Sequence, residues 1–275
     1  MSRDISPRRL GADTFFVAAF SPNRLNLRSR FIYTKQPSKN NFTSGVRSCS
    51  SILDGTGQLF AAFLASLPNT FTATVVAYPA DKILSYLELR PFVSAAVPKA
   101  EPFVLLAESF SAPLAVEFAA SNPPNLAGLV ICAGFVFKPI ADWSQLAMAA
   151  LRPWLFRLSA PRWILEYFLV GRDAPRSLIL ELRQVLRSVS PDVLSGRVCE
   201  ALNCDARNAL ARTKVSLLYV QATQDKLLAD SCVNEMKRIK PEMLIAQLAG
   251  PHLLLQREPQ KVASIVSTYP QEVGS

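Results

Sequence analysis

Short apolar runs recur along this chain, and most are followed by a segment whose apolar residues return every three or four positions. The clearest instance is Pro102-Phe-Val-Leu-Leu-Ala-Glu-Ser109-Phe-Ser-Ala-Pro-Leu-Ala-Val-Glu-Phe-Ala-Ala120. Residues 103–107 are continuous, apolar and short, which predicts a strand buried on both faces. From Ser111 to Ala120 the apolar positions Leu114, Ala115, Phe118 and Ala119 follow helical spacing. The same alternation predicts strands over Thr70–Tyr78, Ala127–Phe135, Lys214–Gln221 and around Met243–Leu248, with helices from Ser85 to Ala96, from Ala229 to Ile239 and a last one ending near Tyr269. Upstream, Ser50–Leu53 reads as a strand entering the turn Asp54-Gly-Thr-Gly57, with an amphipathic helix from Gln58 to Leu67. Phe15–Phe20 and Arg30–Thr34 read as two edge strands. Strand and helix in alternation predict an α/β fold with a mostly parallel central sheet and helices on both faces.

The rhythm breaks between residues 136 and 205. Trp143, Trp154 and Trp163, every tryptophan in the chain, fall there among helical segments separated by Pro153, Pro161 and Pro175. That predicts a helical cap inserted into an α/β core built from residues 48–135 and 206–275, with residues 1–47 as an N-terminal arm. Ordinary core packing accounts for most such aromatics; the alternative is that some line an apolar pocket for a greasy substrate.

A chain of 275 residues, 50% hydrophobic, can bury a substantial core. Its net charge of +9 suggests nucleic acid until the charges are located. Residues 1–50 hold nine Lys/Arg against Asp4 and Asp13, which is +7 of the +9, so the body is nearly neutral. No basic run interleaved with aromatics offers a nucleic-acid face. The five cysteines are scattered without a C-x-x-C pair, and with one histidine in the chain a zinc site has little to build on. No metal or cofactor is expected. Reduced cysteines point to the cytoplasm. The apolar stretches at 55–80 and 118–137 are interrupted by Leu-Pro-Asn-Thr and Asn-Pro-Pro-Asn, so neither is expected to span a membrane. Nothing in the pattern indicates an oligomeric state.

Three residues carry the chemistry. Ser109 stands where a strand turns abruptly into a helix, between the small residues Ala107 and Ser111, the setting of a nucleophile elbow. Asp225 follows the strand at Lys214–Gln221, and His252 lies between the last strand and the last helix. In a parallel sheet the carboxyl ends of the strands share one rim, so the three loops can converge. A serine hydroxyl is a weak nucleophile until an imidazole takes its proton, and a carboxylate fixes the tautomer of that imidazole. Glu108 reads as a charge at the helix edge, Asp54 as a loop-fixing residue, and Cys132 as an inert buried thiol.

Four stretches together resemble the α/β-hydrolase superfamily over roughly residues 48–270: Leu53-Asp-Gly-Thr-Gly57, Ala107-Glu-Ser-Phe-Ser-Ala112, Gln221-Ala-Thr-Gln-Asp225 and Gly250-Pro-His252. They look like small bacterial members with a Pro-Gly-Leu-Asp-Gly-Thr-Gly loop and a Gly-Glu-Ser-Phe-Ser-Gly elbow. The resemblance implies an α/β-hydrolase fold, with Ser109 as nucleophile, His252 as general base and Asp225 as the orienting acid. It implies an oxyanion hole from the backbone N–H of Phe110 and of Leu53, with Thr56 as a second candidate. The substrate expected is a small-molecule ester or thioester with an apolar acyl group. Transfer of the acyl group to an acceptor other than water would use the same residues. Two departures stand out. Ala107 and Ala112 replace elbow glycines but stay small, whereas Ser51-Ile52 replaces Pro-Gly. A β-branched residue avoids positive φ, and losing one oxyanion donor costs about 10²–10³ in rate. The alternative reading is therefore a weakly active or non-catalytic protein of this fold that binds a hydrophobic ligand or a partner.

Overall fold

The computed structural model describes residues 57–139, 153–158 and 160–273. The two N-terminal edge strands, the strand at Ser50–Leu53, Leu53 and Thr56 of the expected oxyanion loop, and Trp143 all lie outside them. A short 3₁₀ turn, Gln58–Phe60, runs into helix α1, Ala61–Ser66, whose Phe63 enters the core. Helix α2, Tyr86–Ala96, begins with a capping box. The Ser85 hydroxyl accepts from the Glu88 N–H, and Glu88 accepts from the Ser85 N–H at 2.8 Å.

Strand β1, Phe103–Glu108, then helix α3, Ser111–Ala119, form the central strand–turn–helix unit, and strand β2, Leu126–Cys132, returns beside β1. Between β2 and the next strand the described elements are all helical: α4 Pro153–Arg157, α5 Arg162–Leu165 with a π-helical turn at Glu166–Val170, α6 Arg176–Ser188, α7 Pro191–Asn203 and α8 Arg207–Arg212. Strand β3, Ser216–Ala222, helix α9, Asp230–Ile239, strand β4, Leu244–Leu248, and helices α10, Leu254–Arg257, and α11, Pro259–Val273, complete the chain.

The four strands lie side by side in chain order, β1-β2-β3-β4, and every pairing is parallel. Successive side chains point to opposite faces, and the core divides accordingly. Val104, Leu106, Val130, Leu218 and Val220 pack with Phe60, Phe63 and the α11 residues Val262 and Val266. Phe103, Leu105, Ala107, Leu129, Ile131 and Tyr219 pack with α2, α3 and the α9 residues Val233 and Met236. Strands β1, β2 and β3 are therefore buried on both faces, as their continuous apolar runs require, whereas β4 is largely exposed.

The expected strand at Thr70–Tyr78 differs. Val75, Val76, Ala77 and Tyr78 are buried, yet no strand is found there among the described residues. Its β-branched residues favour a pleated surface, but a strand is defined by its ladder, and none of the described strands pairs with it.

Candidate functional site

Because β1, β3 and β4 run parallel, their carboxyl ends meet at one rim. Ser109 comes directly after β1, and its backbone adopts φ 53°, a left-handed conformation that side chains avoid. The turn is held at both ends: Ser109 donates its N–H to the Cys132 carbonyl at 3.1 Å and accepts at its own carbonyl from the Ala112 N–H at 3.0 Å. Asp225 and His252 arrive on loops tied to each other. The Thr223 N–H donates to the Leu248 carbonyl and the Gln224 N–H to the Gly250 carbonyl, both at 3.0 Å. The register of β3 against β4 thus extends into the loops that carry the two side chains.

The structure brings Ser109, His252 and Asp225 into one hydrogen-bonded line. His252 Nε2 lies 2.8 Å from Ser109 Oγ, and His252 Nδ1 lies 2.7 Å from Asp225 Oδ2. The other carboxylate oxygen, Oδ1, accepts from the Leu227 and Leu228 N–H groups at 2.7 and 3.0 Å, which fixes the plane of the carboxyl. An acid at Nδ1 places the proton there and leaves Nε2 as an acceptor facing the serine. The imidazole is 1% exposed and Ser109 7%, so water competes little for either bond.

Phe110, the described member of the expected oxyanion hole, stands at the N-terminus of α3, where backbone N–H groups lack intrahelical acceptors. It is clamped by two tyrosines. Tyr86 stacks on its ring at 4.9 Å and donates its hydroxyl to the Phe110 carbonyl at 2.9 Å, while Tyr78 meets the ring edge-on. Burial holds the Tyr86 phenol well above its usual pKa, so it stays a donor. Helix α7 supports both tyrosines: Glu200 accepts from the Tyr86 N–H, and the Arg197 guanidinium lies over the Tyr78 ring.

Two expectations need correction. Glu108 is not a helix-edge charge: it is fully buried, and it accepts from the Leu255 N–H at 3.2 Å and from Gln256 Nε2 at 3.1 Å. Strand alternation puts it on the face of Val104 and Leu106, under the helix that follows His252. The two described tryptophans neither pack in the core nor line an enclosed apolar pocket, since Trp154 is 58% exposed and Trp163 65%. A cavity of about 340 Å³ does lie beside the site, between Tyr167, Gly171 and Arg172 on one side and Gln224, Lys226 and Pro251 on the other. More of its lining surface is apolar than polar, although Arg172, Gln224 and Lys226 stand around it. The Cys132 thiol is pushed up by burial next to the Glu108 and Asp225 carboxylates, so it remains a thiol. Among the described residues no cluster of His, Cys, Asp and Glu is arranged to hold a metal ion, and no helix is long and apolar enough to cross a membrane.

No protein-family model matches the chain, and no curated protein matches it in sequence. Solved structures do match in shape. A hydrolase from Oleispira antarctica superposes with a TM-score of 0.69 at 14% identity, covering 83% of this chain and 91% of that one. A bromoperoxidase from Bacillus anthracis gives 0.70 at 10% identity, covering 83% and 92%. A thermophilic esterase from Thermogutta terrifontis gives 0.66 at 16% identity, covering 84% and 92%. With the parallel sheet, the helices on its two faces and these likenesses, the chain has the α/β-hydrolase fold.

Proposed function

We propose that this protein is a serine hydrolase that cleaves a carboxylic ester or thioester through an acyl-enzyme on Ser109. The observation that carries the reading is the continuous line from Ser109 Oγ to His252 Nε2 and from His252 Nδ1 to Asp225 Oδ2, at 2.8 and 2.7 Å. In the acylation step His252 Nε2 takes the Ser109 proton while Oγ attacks the carbonyl carbon. The oxyanion forms toward the Phe110 N–H, with Leu53 or Thr56 supplying the second donor. The intermediate collapses by breaking the bond to the alcohol or thiol, which leaves with the proton held on His252. Water then deacylates Ser109 by the same two transfers in reverse roles. Asp225 stabilises the imidazolium that forms twice in the cycle.

The shape likenesses include proteins described as a hydrolase and as an esterase, which supports the same class for this chain. Residues 136–205 act as the cap over residues 48–135 and 206–275 in this reading, and the scattered cysteines, without a C-x-x-C pair, support a cytoplasmic enzyme. The described thiols Cys132, Cys199, Cys204 and Cys232 are all free.

Incubation with a fluorophosphonate is expected to add one adduct by intact mass, mapped to Ser109. Ser109→Ala and His252→Ala are expected to lose that adduct, and p-nitrophenyl ester turnover should fall by about 10³-fold or more. A wild-type protein that takes no adduct would end the hydrolase reading.

A second reading, a non-catalytic or weakly active protein of the same fold that binds a hydrophobic ligand or a partner, is favoured by Ser51-Ile52 standing where the resembling loop has Pro-Gly. It expects wild-type turnover no higher than that of Ser109→Ala on short and long acyl esters alike.

A further inference from the structure

Glu108 has no part in the proton transfers above, yet it is the most deeply placed charge near them. It ends β1 at 0% exposure, among Leu253, Leu254 and Leu255, each also at 0%. A carboxylate is costly in such surroundings unless its oxygens are satisfied. Both are. Oε1 accepts from the Leu255 N–H at 3.2 Å, one of the first-turn donors that α10 cannot use internally, and Oε2 accepts from the Gln256 side chain at 3.1 Å.

The two ends of this contact are adjacent to the two reacting groups. Glu108 is bonded through the backbone to Ser109, and Leu255 lies three residues after His252, whose carbonyl accepts from the Leu254 N–H at 3.0 Å. We propose that Glu108 is a positioning residue: it clamps α10 to the end of β1 and so sets the 2.8 Å approach of His252 Nε2 to Ser109 Oγ. Its importance for turnover rests on the hydrolase reading, whereas the clamp itself is a statement about where the imidazole is held.

The chain has one histidine, so imidazole signals in a proton NMR spectrum have a single source. The test compares wild type, Glu108→Ala, Glu108→Gln and Gln256→Ala. Glutamine keeps an acceptor for Leu255, and its amide can donate to Gln256 Oε1, which is buried without a partner among the described residues, once that side-chain amide turns over. Wild type and Glu108→Gln are expected to show the far-downfield Nδ1 proton held by Asp225, and to react with fluorophosphonate at rates within about threefold of each other. In Glu108→Ala the proton signal is expected to vanish through exchange with water. The labelling rate per folded molecule and kcat should fall by about 10–100-fold with KM little changed, the size expected when a reacting group is misplaced by about 1 Å. Gln256→Ala, which keeps the Leu255 bond, is expected to fall between, and it carries the test if Glu108→Ala does not fold.

An unchanged downfield proton and labelling rate in Glu108→Ala, or in Gln256→Ala where that variant carries the test, would overturn the proposal even if the melting temperature dropped. That result would reduce Glu108 to a structural carboxylate. If wild-type Ser109 takes no label, the hydrolase reading fails, and the histidine spectrum still decides the clamp.

Discussion

Ser109 occupies a backbone conformation, φ 53°, that a Cβ makes unfavourable by about 1–2 kcal/mol. Glycine would not feel that term, since it reaches positive φ at no steric cost. Ser109→Gly is therefore expected to be more stable than Ser109→Ala by about 1 kcal/mol in urea denaturation, while both lack labelling and turnover. Equal stabilities would mean that the turn carries no strain. The serine and its partners were legible because the residue types are scarce and placed: one histidine, after a strand, 27 residues beyond an acid that follows another strand. Glu108 was not legible. A glutamate beside a serine at a turn looks like a solvated charge, and only the docking of a segment 147 residues away shows otherwise.

At the scale of elements, the histidine loop is held from two sides. Beneath it lies Glu108. Above it the Leu253 N–H donates to the Leu169 carbonyl at 2.9 Å, and Arg257 donates to the Val170 carbonyl and to Asp173, each at 2.8 Å. The Arg257 guanidinium holds the Asp173 carboxyl below its usual range, but Asp173 is 82% exposed, so that pair is screened by water. The bond to Val170 is the one that matters. Arg257→Ala is expected to lower stability by about 1.5–3 kcal/mol, with a near-neutral effect from Asp173→Ala, read as shifts in the urea midpoint. Comparable effects of the two variants would contradict this division. The strands at 103–108, 126–132 and 216–222 could be seen in advance because burial on both faces leaves a nearly unbroken apolar run, whereas 244–248 is largely exposed and was placed by its position between two helices. Residues 70–78 carried the same composition without the pairing, because pairing belongs to two segments and composition to one. The tryptophans of the helical stretch illustrate a related blind spot: helical spacing groups residues on a face but does not say what that face meets.

For the molecule as a whole, the buried phenols and thiols set a direction for the pH dependence of stability. Burial raises Tyr86, Tyr219 and Tyr269 and the Cys132 thiol well above their usual values, and pushes Cys204 up to about 12 and Cys232 up to about 11. An unfolded chain releases these protons first, starting near the ordinary thiol value of 9.0, while the native chain still holds them. The stabilisation is thus complete below about pH 9 and is lost as pH rises through the native values, at about 1.4 kcal/mol per pH unit for each proton held only by the native state. The melting temperature is expected to fall steadily between pH 9 and 11, and Cys→Ser changes at positions 204 and 232 should flatten that fall. A curve as steep in the double variant as in wild type would rule the thiols out as its cause.

The side chains of the proposed triad all stand just beyond the hydrogen-bonded ladder, Ser109 one residue past β1, Asp225 three past β3 and His252 four past β4. The architecture thereby separates inheritance of shape from inheritance of chemistry. Loops at that rim can be exchanged, lengthened or rewritten while the strands, whose register is settled lower down, keep the same partners. A chain that shares as little as 10–16% of its residues with its structural neighbours can keep their outline on those terms.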